Sequence, residues 1–288
     1  MKSIYTLVPD IQHLLKTKGW FIDSVPDEFA QEVTSRLKGQ FNRPETKPTL
    51  RLSQMGDRCP CELWHMINKP HLAEPLPAWA EMKFSFGHTI EGLAIALAKA
   101  AGHEVTGEQD EVQLDGVVGH RDCIIDGCLV DVKSAATLSF QKFKDGSIKD
   151  NDPFGYLSQL DGYLAASADD PALRVKDKGY LLAIDKQLGH MCLYEHKVRE
   201  ENIRKRITLY KGIVALPSAP ACTCCSVEDG KYGNLKLDTK ASYNQYKYCC
   251  KPHLRTFLYS SGPRYLTKVV RTPDVPEIDR NGKIIRMP

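Results

Sequence analysis

The segment VVGHRDCIIDGCLVDVKS carries the arrangement richest in chemistry. Asp126-Gly127 is a dipeptide that favours a two-residue hairpin turn. A turn there sets Asp122 opposite Asp131, His120 opposite Lys133, and Ile124 opposite Leu129. Strand alternation then places all six side chains on one face of a sheet. Two carboxylates directly opposite one another repel across a bare antiparallel pair, and a divalent cation removes that penalty. Hard oxygen donors on neighbouring strands suit Mg²⁺ or Mn²⁺. Lys133 points the same way as Asp131, where it can orient or deprotonate a water and offset negative charge in a transition state. The same spacing is also met on the solvated polar face of an edge hairpin, so a catalytic reading needs further residues converging on it.

Two helical segments supply candidates. His88 and Glu91 lie three apart, on one helical face, and could bring an imidazole and a carboxylate to the same metal. Gln159 and Tyr163 lie four apart, and an amide and a phenol can bind phosphate or hydrogen-bond carboxylates.

Those residues must be positioned by the elements around them. Residues 84–102 read as an alanine- and leucine-rich helix ended by Gly102. Residues 111–134 shift to strand periodicity, and residues 152–167 return to helix, with Asp152 as N-cap and Pro153 at the first helical position. GYLLAIDKQLGHMCLYEHKV reads as a second hairpin turning at Gln187 to Gly189, and residues 198–214 as a basic helix. Upstream, Ser24 or Asp27 starts a helix with Phe29, Val33 and Leu37 on one face, and LWHMI after Cys61 forms a short one. Residues 43–50 and 69–78 read as proline-punctuated loops, and the chain beyond the basic helix as irregular. The order predicts an α/β fold with a small mixed β-sheet flanked by helices. Three segments are expected: an N-terminal helical segment over 1–50, a core over 51–215, and a basic cysteine-rich extension over 216–288.

Composition agrees with such a fold. At 288 residues, 42% hydrophobic and 26% charged, the chain is neither disordered, collagen-like nor a coiled coil. No stretch approaches the roughly 18 to 20 apolar residues of a membrane span, and no signal-peptide pattern opens the chain, so a cytoplasmic protein is expected. The net charge of +3 hides an asymmetry. Residues 1–195 carry 21 basic and 28 acidic side chains, net −7, whereas residues 196–288 carry 18 and 8, net +10. A basic C-terminal third fits a polyanionic partner or a plain solvated surface. Of the ten cysteines, Cys123, Cys128 and Cys192 sit in apolar, strand-like runs. The others group as Cys59 and Cys61, then Cys222, Cys224 and Cys225, then Cys249 and Cys250, and such groups suggest metal before disulfides in a reducing compartment.

The order of the motifs is more specific than any one of them. Gly87-His88-Thr89-Ile90-Glu91, Gly119-His120-Arg121-Asp122, Asp131-Val132-Lys133 and Gln159-Leu160-Asp161-Gly162-Tyr163 together resemble the PD-(D/E)XK nuclease superfamily, and more narrowly its RecB-like and lambda-exonuclease-like branch. The resemblance spans roughly residues 51–215 and implies a restriction-endonuclease-like core. It implies that Asp122, Asp131 and the Val132 carbonyl hold a catalytic Mg²⁺ or Mn²⁺ with His88 or Glu91, that Lys133 positions the attacking water, and that Gln159 and Tyr163 contact DNA or tune the site. The implied activity is metal-dependent hydrolysis of DNA phosphodiesters, most simply exonucleolytic trimming of ends in phage-type recombination, replication or repair. An endonuclease or junction resolvase of the same fold, or a non-enzymatic cysteine-rich nucleic-acid-binding protein, stays open. So does a homo-oligomer or a single-strand-annealing partner protein. Iron–sulfur relatives carry one cysteine before the first motif and three after the last. Here Cys59 or Cys61 fits the first place; with Cys59 go Cys222, Cys225 and Cys249 as candidates for the rest, and the ligand could be Zn²⁺, an Fe–S cluster or none. Within LDTKASYNQYKYCC the pattern would place cysteines near Ala241 and Asn244, where this chain has none.

Overall fold

A computed structural model of the chain describes residues 2–18, 24–42, 47–230 and 232–288. Residues 43–46 of the expected loop lie outside the described residues. The chain divides into two compact units: Met1–Gly56 with Pro77–Ile207, and Asp57–Leu76 with Thr208–Pro288. Residues 57–76 thus fall with the C-terminal region, in contrast to the expected core over 51–215.

The helices and strands run in chain order as α1 (Leu7–Thr17), α2 (Ser24–Phe41), α3 (Pro60–Asn68), α4 (Ala78–Ala100), β1 (Val105–Thr106), β2 (Glu111–Leu114), β3 (Val117–His120), β4 (Cys123–Ile125), β5 (Cys128–Ala135), α5 (Thr137–Lys144), α6 (Tyr156–Ala166), β6 (Val175–Asp185), β7 (Met191–Lys197) and α7 (Glu200–Val214). In the C-terminal region follow β8 (Ser226–Asp229), β9 (Asn234–Leu237), α8 (Thr239–Ser242), α9 (Lys247–Cys250), β10 (Arg255–Tyr259), β11 (Gly262–Lys268), β12 (Glu277–Ile278) and β13 (Ile284–Arg286).

The first unit is built on a mixed sheet ordered β1-β4-β5-β6-β7. The β4–β5 hairpin has the expected register, with Cys123 opposite Val130, Ile124 opposite Leu129 and Ile125 opposite Cys128. Its turn residues Asp126 and Gly127 have φ of 50° and 77°, the left-handed pair that a type I′ turn demands. Asp126 is fastened there by His103 Nδ1 at 2.6 Å and by the Glu104 amide at 3.1 Å. Strand β5 pairs in parallel with β6, and β6 in antiparallel with β7, so β5 is an interior strand. Val130 and Val132 pack into a core with Leu7, Ile11 and Leu14 of α1 and with Ala94, Leu97 and Ala98 of α4. Alternation therefore sends Asp131 and Lys133 to the other face, toward α6.

Four expectations change. His120 does not face Lys133: it pairs with Glu111 in the separate two-stranded sheet β2–β3, and it is exposed. The strand breaks at Arg121 and Asp122, whose backbone bonds with Asp110 and Gln109, so the hairpin register stops short of His120. Helix α6 begins at Tyr156, and its N-cap is Gly155 with φ 76° rather than Asp152. Asp152 still serves the helix start from outside it, accepting from the amides of Gly155, Tyr156 and Leu157 at 2.9–3.0 Å. The C-terminal chain is not irregular: it forms an antiparallel sheet ordered β13-β12-β10-β11-β9-β8. In α2, Phe29 packs on the core as expected, but Leu37 is 38% exposed and the helix turns a different side chain, Arg36, toward α4.

Candidate active site

Asp131 is 1% exposed at the centre of the sheet, and Asp122 stands at the mouth of the neighbouring strand. Asp122 Oδ2 accepts from the Val132 amide at 2.7 Å, which ties the loop before β4 to β5. Lys133 Nζ lies 2.5 Å from Asp131 Oδ2. Beyond that ion pair, the buried Asp131 oxygens have no hydrogen-bond donor among the described residues. Burial pushes the carboxyls of Asp122 and Asp131 up to about 7, and neighbouring Glu91 adds to the rise at Asp122. Burial by itself would lower the Lys133 ammonium, yet Asp131 and Asp122 hold it above the ordinary lysine range.

Glu91 reaches this pair from α4. Its carboxylate is gripped bidentately by Arg36 of α2, with Nη2 to Oε1 at 2.7 Å and Nη1 to Oε2 at 2.9 Å. Gln109 Nε2 donates to Glu91 Oε1 at 2.7 Å and stands 3.5 Å from Asp122 Oδ1, while the Gln109 amide donates to the Asp122 carbonyl at 3.1 Å. Desolvation still raises the Glu91 carboxyl, with Arg36 opposing it. His88, one turn earlier on α4, places Nδ1 3.4 Å from Arg36 Nη1. Arg36 and Gln109 were not among the residues expected from sequence. Gln109 sits at φ 56°, a conformation a non-glycine residue rarely adopts. Three carboxylates with one guanidinium and one ammonium form a donor set of hard oxygens, partly orphaned, that fits a divalent cation.

Helix α6 covers the pair. Lys133 Nζ is 3.5 Å from Gln159 Oε1 and 4.8 Å from the centre of the Tyr156 ring. Gln159 Nε2 donates to the Tyr163 hydroxyl at 3.0 Å. Tyr163 is 3% exposed, and burial raises its phenol above the usual range. The helix is anchored by buried Asp161, which takes His196 Nε2 at 2.8 Å and the Arg199 amide at 3.0 Å. Gly119 lets Tyr163 approach: a methyl there would lie 2.6 Å from Tyr163 Cε1 and 2.8 Å from Leu52 Cβ. Gly119→Ala is therefore expected to lower stability by about 1–3 kcal/mol, read as a lower urea midpoint, because overpacking at this contact shifts Tyr163 or β3. An unchanged midpoint would show that the contact relaxes at no cost.

In the second unit, the sulfurs of Cys59, Cys222, Cys224 and Cys250 all lie within 4.8 Å of one another. Cys59 and Cys222 are two of the expected ligands. Cys225 and Cys249 are replaced by their neighbours for a geometric reason. Alternate residues of an extended run share a side, so Cys222 and Cys224 go together and exposed Cys225 turns away. On α9, adjacent residues point about 100° apart, and it is Cys250 that is buried.

No protein-family model matches the chain, and no curated protein matches its sequence. Among solved structures, a protein described as SSO0001 superposes with a TM-score of 0.43 at 16% identity, covering 77% of this chain and 95% of that one. An alkaline exonuclease from Laribacter hongkongensis gives 0.39 at 16% identity, covering 57% and 88%. A phage-related exonuclease from Haemophilus somnus 129PT gives 0.38 at 15%, covering 61% and 96%. Likeness at this level leaves the function to be argued from the site.

Proposed function

We propose that the chain is a Mg²⁺- or Mn²⁺-dependent deoxyribonuclease that hydrolyses phosphodiester bonds from DNA ends. The observation that carries this reading is the Asp122–Asp131 pair, drawn from the loop before β4 and from β5, with Glu91 beside it. Its inner carboxylate is buried and short of hydrogen-bond donors, an arrangement that costs stability in the absence of a cation. Asp122, Asp131, Glu91 and the Val132 carbonyl are the residues that would hold the ion. A bound divalent ion supplies Lewis acidity at the scissile phosphate and acidifies a water. Lys133, held charged, offers donors toward the phosphate oxygens and the water. Gln159 and Tyr156 keep its ammonium in place, and Tyr163 fixes Gln159. Arg36 and Gln109 hold Glu91 in orientation and supply charge that keeps three carboxylates tolerable in one site.

The test is linear DNA labelled at the 5′ or the 3′ end, alongside a closed circle, with Mg²⁺ or with a chelator. Loss of ends in Mg²⁺ alone, with the circle intact, is the expected result. DNA retained undegraded in Mg²⁺ would favour the binding-protein alternative, and a cut circle would favour an endonuclease.

The basic C-terminal region gives a separate expectation. Several of its lysines are engaged within the fold: Lys236 with Asp229 at 3.0 Å, Lys240 with Asp57 at 3.2 Å, and buried Lys247 with Glu74. Lys268, Arg280 and Lys283 are exposed and are the better probes. Reversing all three to glutamate should make log Kd for duplex DNA less steep in log salt by up to about 3, since each phosphate contact contributes about 0.9. A mutant that keeps the wild-type slope would make this charge a solvated surface and no path for DNA.

A further inference from the structure

We infer that Cys59, Cys222, Cys224 and Cys250 form a mononuclear tetrahedral tetrathiolate site, of the kind that takes Zn²⁺, and not the ligand set of an iron–sulfur cubane. The inference stands on the second unit alone and is independent of the nuclease reading. Distance decides between the two metals. Four thiolates about 2.3 Å from one ion form a tetrahedron with edges of about 3.8 Å. In a cubane each thiolate binds a different iron, and the sulfurs stand roughly 6 Å apart or more. Cys59 and Cys222 are 3.7 Å apart, and no pair of the four exceeds 4.8 Å. The cage is large enough for one ion and too small for four irons with their bridging sulfides.

The surroundings are those of thiolates. The Thr223 amide points at Cys59 Sγ at 3.4 Å and the Cys224 amide at Cys222 Sγ at 3.3 Å. The Asn244 side-chain amide, 3% exposed, donates to Cys250 Sγ at 3.5 Å and to Cys224 Sγ at 3.8 Å. Amide donors of this kind orient metal-bound thiolates and spread their charge. Asn244 stands at one of the positions where the resemblance called for a cysteine, so the amide supports the ligands where a ligand was expected. Cys59 is also the N-cap of α3, a nine-residue helix whose N-terminal dipole favours a thiolate. Tyr246, stacked on His65 at 6.0 Å, packs with Cys59, Cys61 and Cys250 in a small apolar cluster that shields the sulfurs. The chemical consequence is a staple: Cys59 and Cys222 are 163 residues apart in sequence, so the ion ties Asp57–Leu76 to Thr208–Pro288 within the second unit.

The full chain, purified without oxygen, is assayed for zinc, iron and acid-labile sulfide, then stripped and reloaded with Co²⁺. One zinc per chain, no sulfide, and the intense visible bands of tetrahedral sulfur-ligated Co²⁺ are expected. Near four irons per chain with matching sulfide would overturn the inference, and so would a stripped chain that takes up neither Zn²⁺ nor Co²⁺. Cys222→Ser and Cys224→Ser are expected to bind Zn²⁺ at least 100-fold more weakly. Cys225→Ser and Cys249→Ser should keep full occupancy, and loss of metal from that second pair would place the site on the wrong sulfurs. The cobalt spectrum of the wild-type chain decides the geometry even where a cysteine variant fails to fold.

Discussion

Asp131→Ala should abolish cleavage, by about 10³-fold or more, which corresponds to roughly 4 kcal/mol of barrier, while DNA binding changes little. Asp131 is the buried member of the pair, and its carboxylate is the one charged oxygen donor that β5 brings to the site. Activity within a few-fold of wild type would overturn the site. The same residue gives an independent readout in Asp131→Asn, which keeps the shape and removes the buried charge. Unfolded chains release the Asp122 and Asp131 protons near pH 4, while the folded chain holds them to about 7. Between those values the folded state binds more protons, so in the absence of divalent metal its stability falls as pH rises from about 4 to 7. Asp131→Asn should flatten that fall and leave the metal-free protein more stable at pH 7, on the order of 2 kcal/mol. Mg²⁺ should stabilise the wild type increasingly through the same window and barely stabilise the mutant. Equal pH slopes for the two metal-free proteins would mean that Asp131 is not held protonated by its burial.

Much of the site was legible because one local feature fixes it. Asp126-Gly127 favours a type I′ turn, and once the turn sets Cys123 against Val130, Asp122 follows just outside the strand near Asp131, while the pleat puts Lys133 on the Asp131 side. The register failed at His120 because it runs only as far as the strand does, and a side strand took over the pairing. Arg36 was not legible. Its helix was expected, but its role depends on how α2 packs against α4, and no pattern within α2 encodes which polar side chain will meet Glu91 more than fifty residues later. Gln109 belongs to a connection between short strands with no periodicity to read. The C-terminal sheet was missed for a related reason: its strands run from two to seven residues, and burial along them does not alternate cleanly. The cysteine site was half legible. Sequence grouped the right segments, but choosing Cys224 over Cys225 and Cys250 over Cys249 needed the backbone direction at each.

Lys133→Ala should lose about 10²–10³-fold in turnover, the usual loss when one aligned donor to a developing charge is removed, while the chain binds Mn²⁺ no more weakly than wild type. The second half of that expectation follows from charge. An ammonium cannot ligate a cation, and this one sits 2.5 Å from Asp131, where it competes with the ion for the same carboxylate. Removing it relieves the competition, so calorimetry should find Mn²⁺ affinity equal or higher, whereas Asp122→Ala should lose affinity. The structure also separates the two roles open to Lys133. Asp131 and Asp122 hold the ammonium above the ordinary lysine range, and Gln159 and the Tyr156 ring face its cationic form. A group so held donates and orients but does not take a proton from water at neutral pH. The activity of Lys133→Arg, which keeps the charge but in a planar fork, should accordingly exceed that of Lys133→Met, which keeps the length and loses the charge. Rates for Arg no better than for Met, or a loss of Mn²⁺ affinity in Lys133→Ala as large as in Asp122→Ala, would remove Lys133 from the reacting centre and leave it a structural counter-ion of the buried pair.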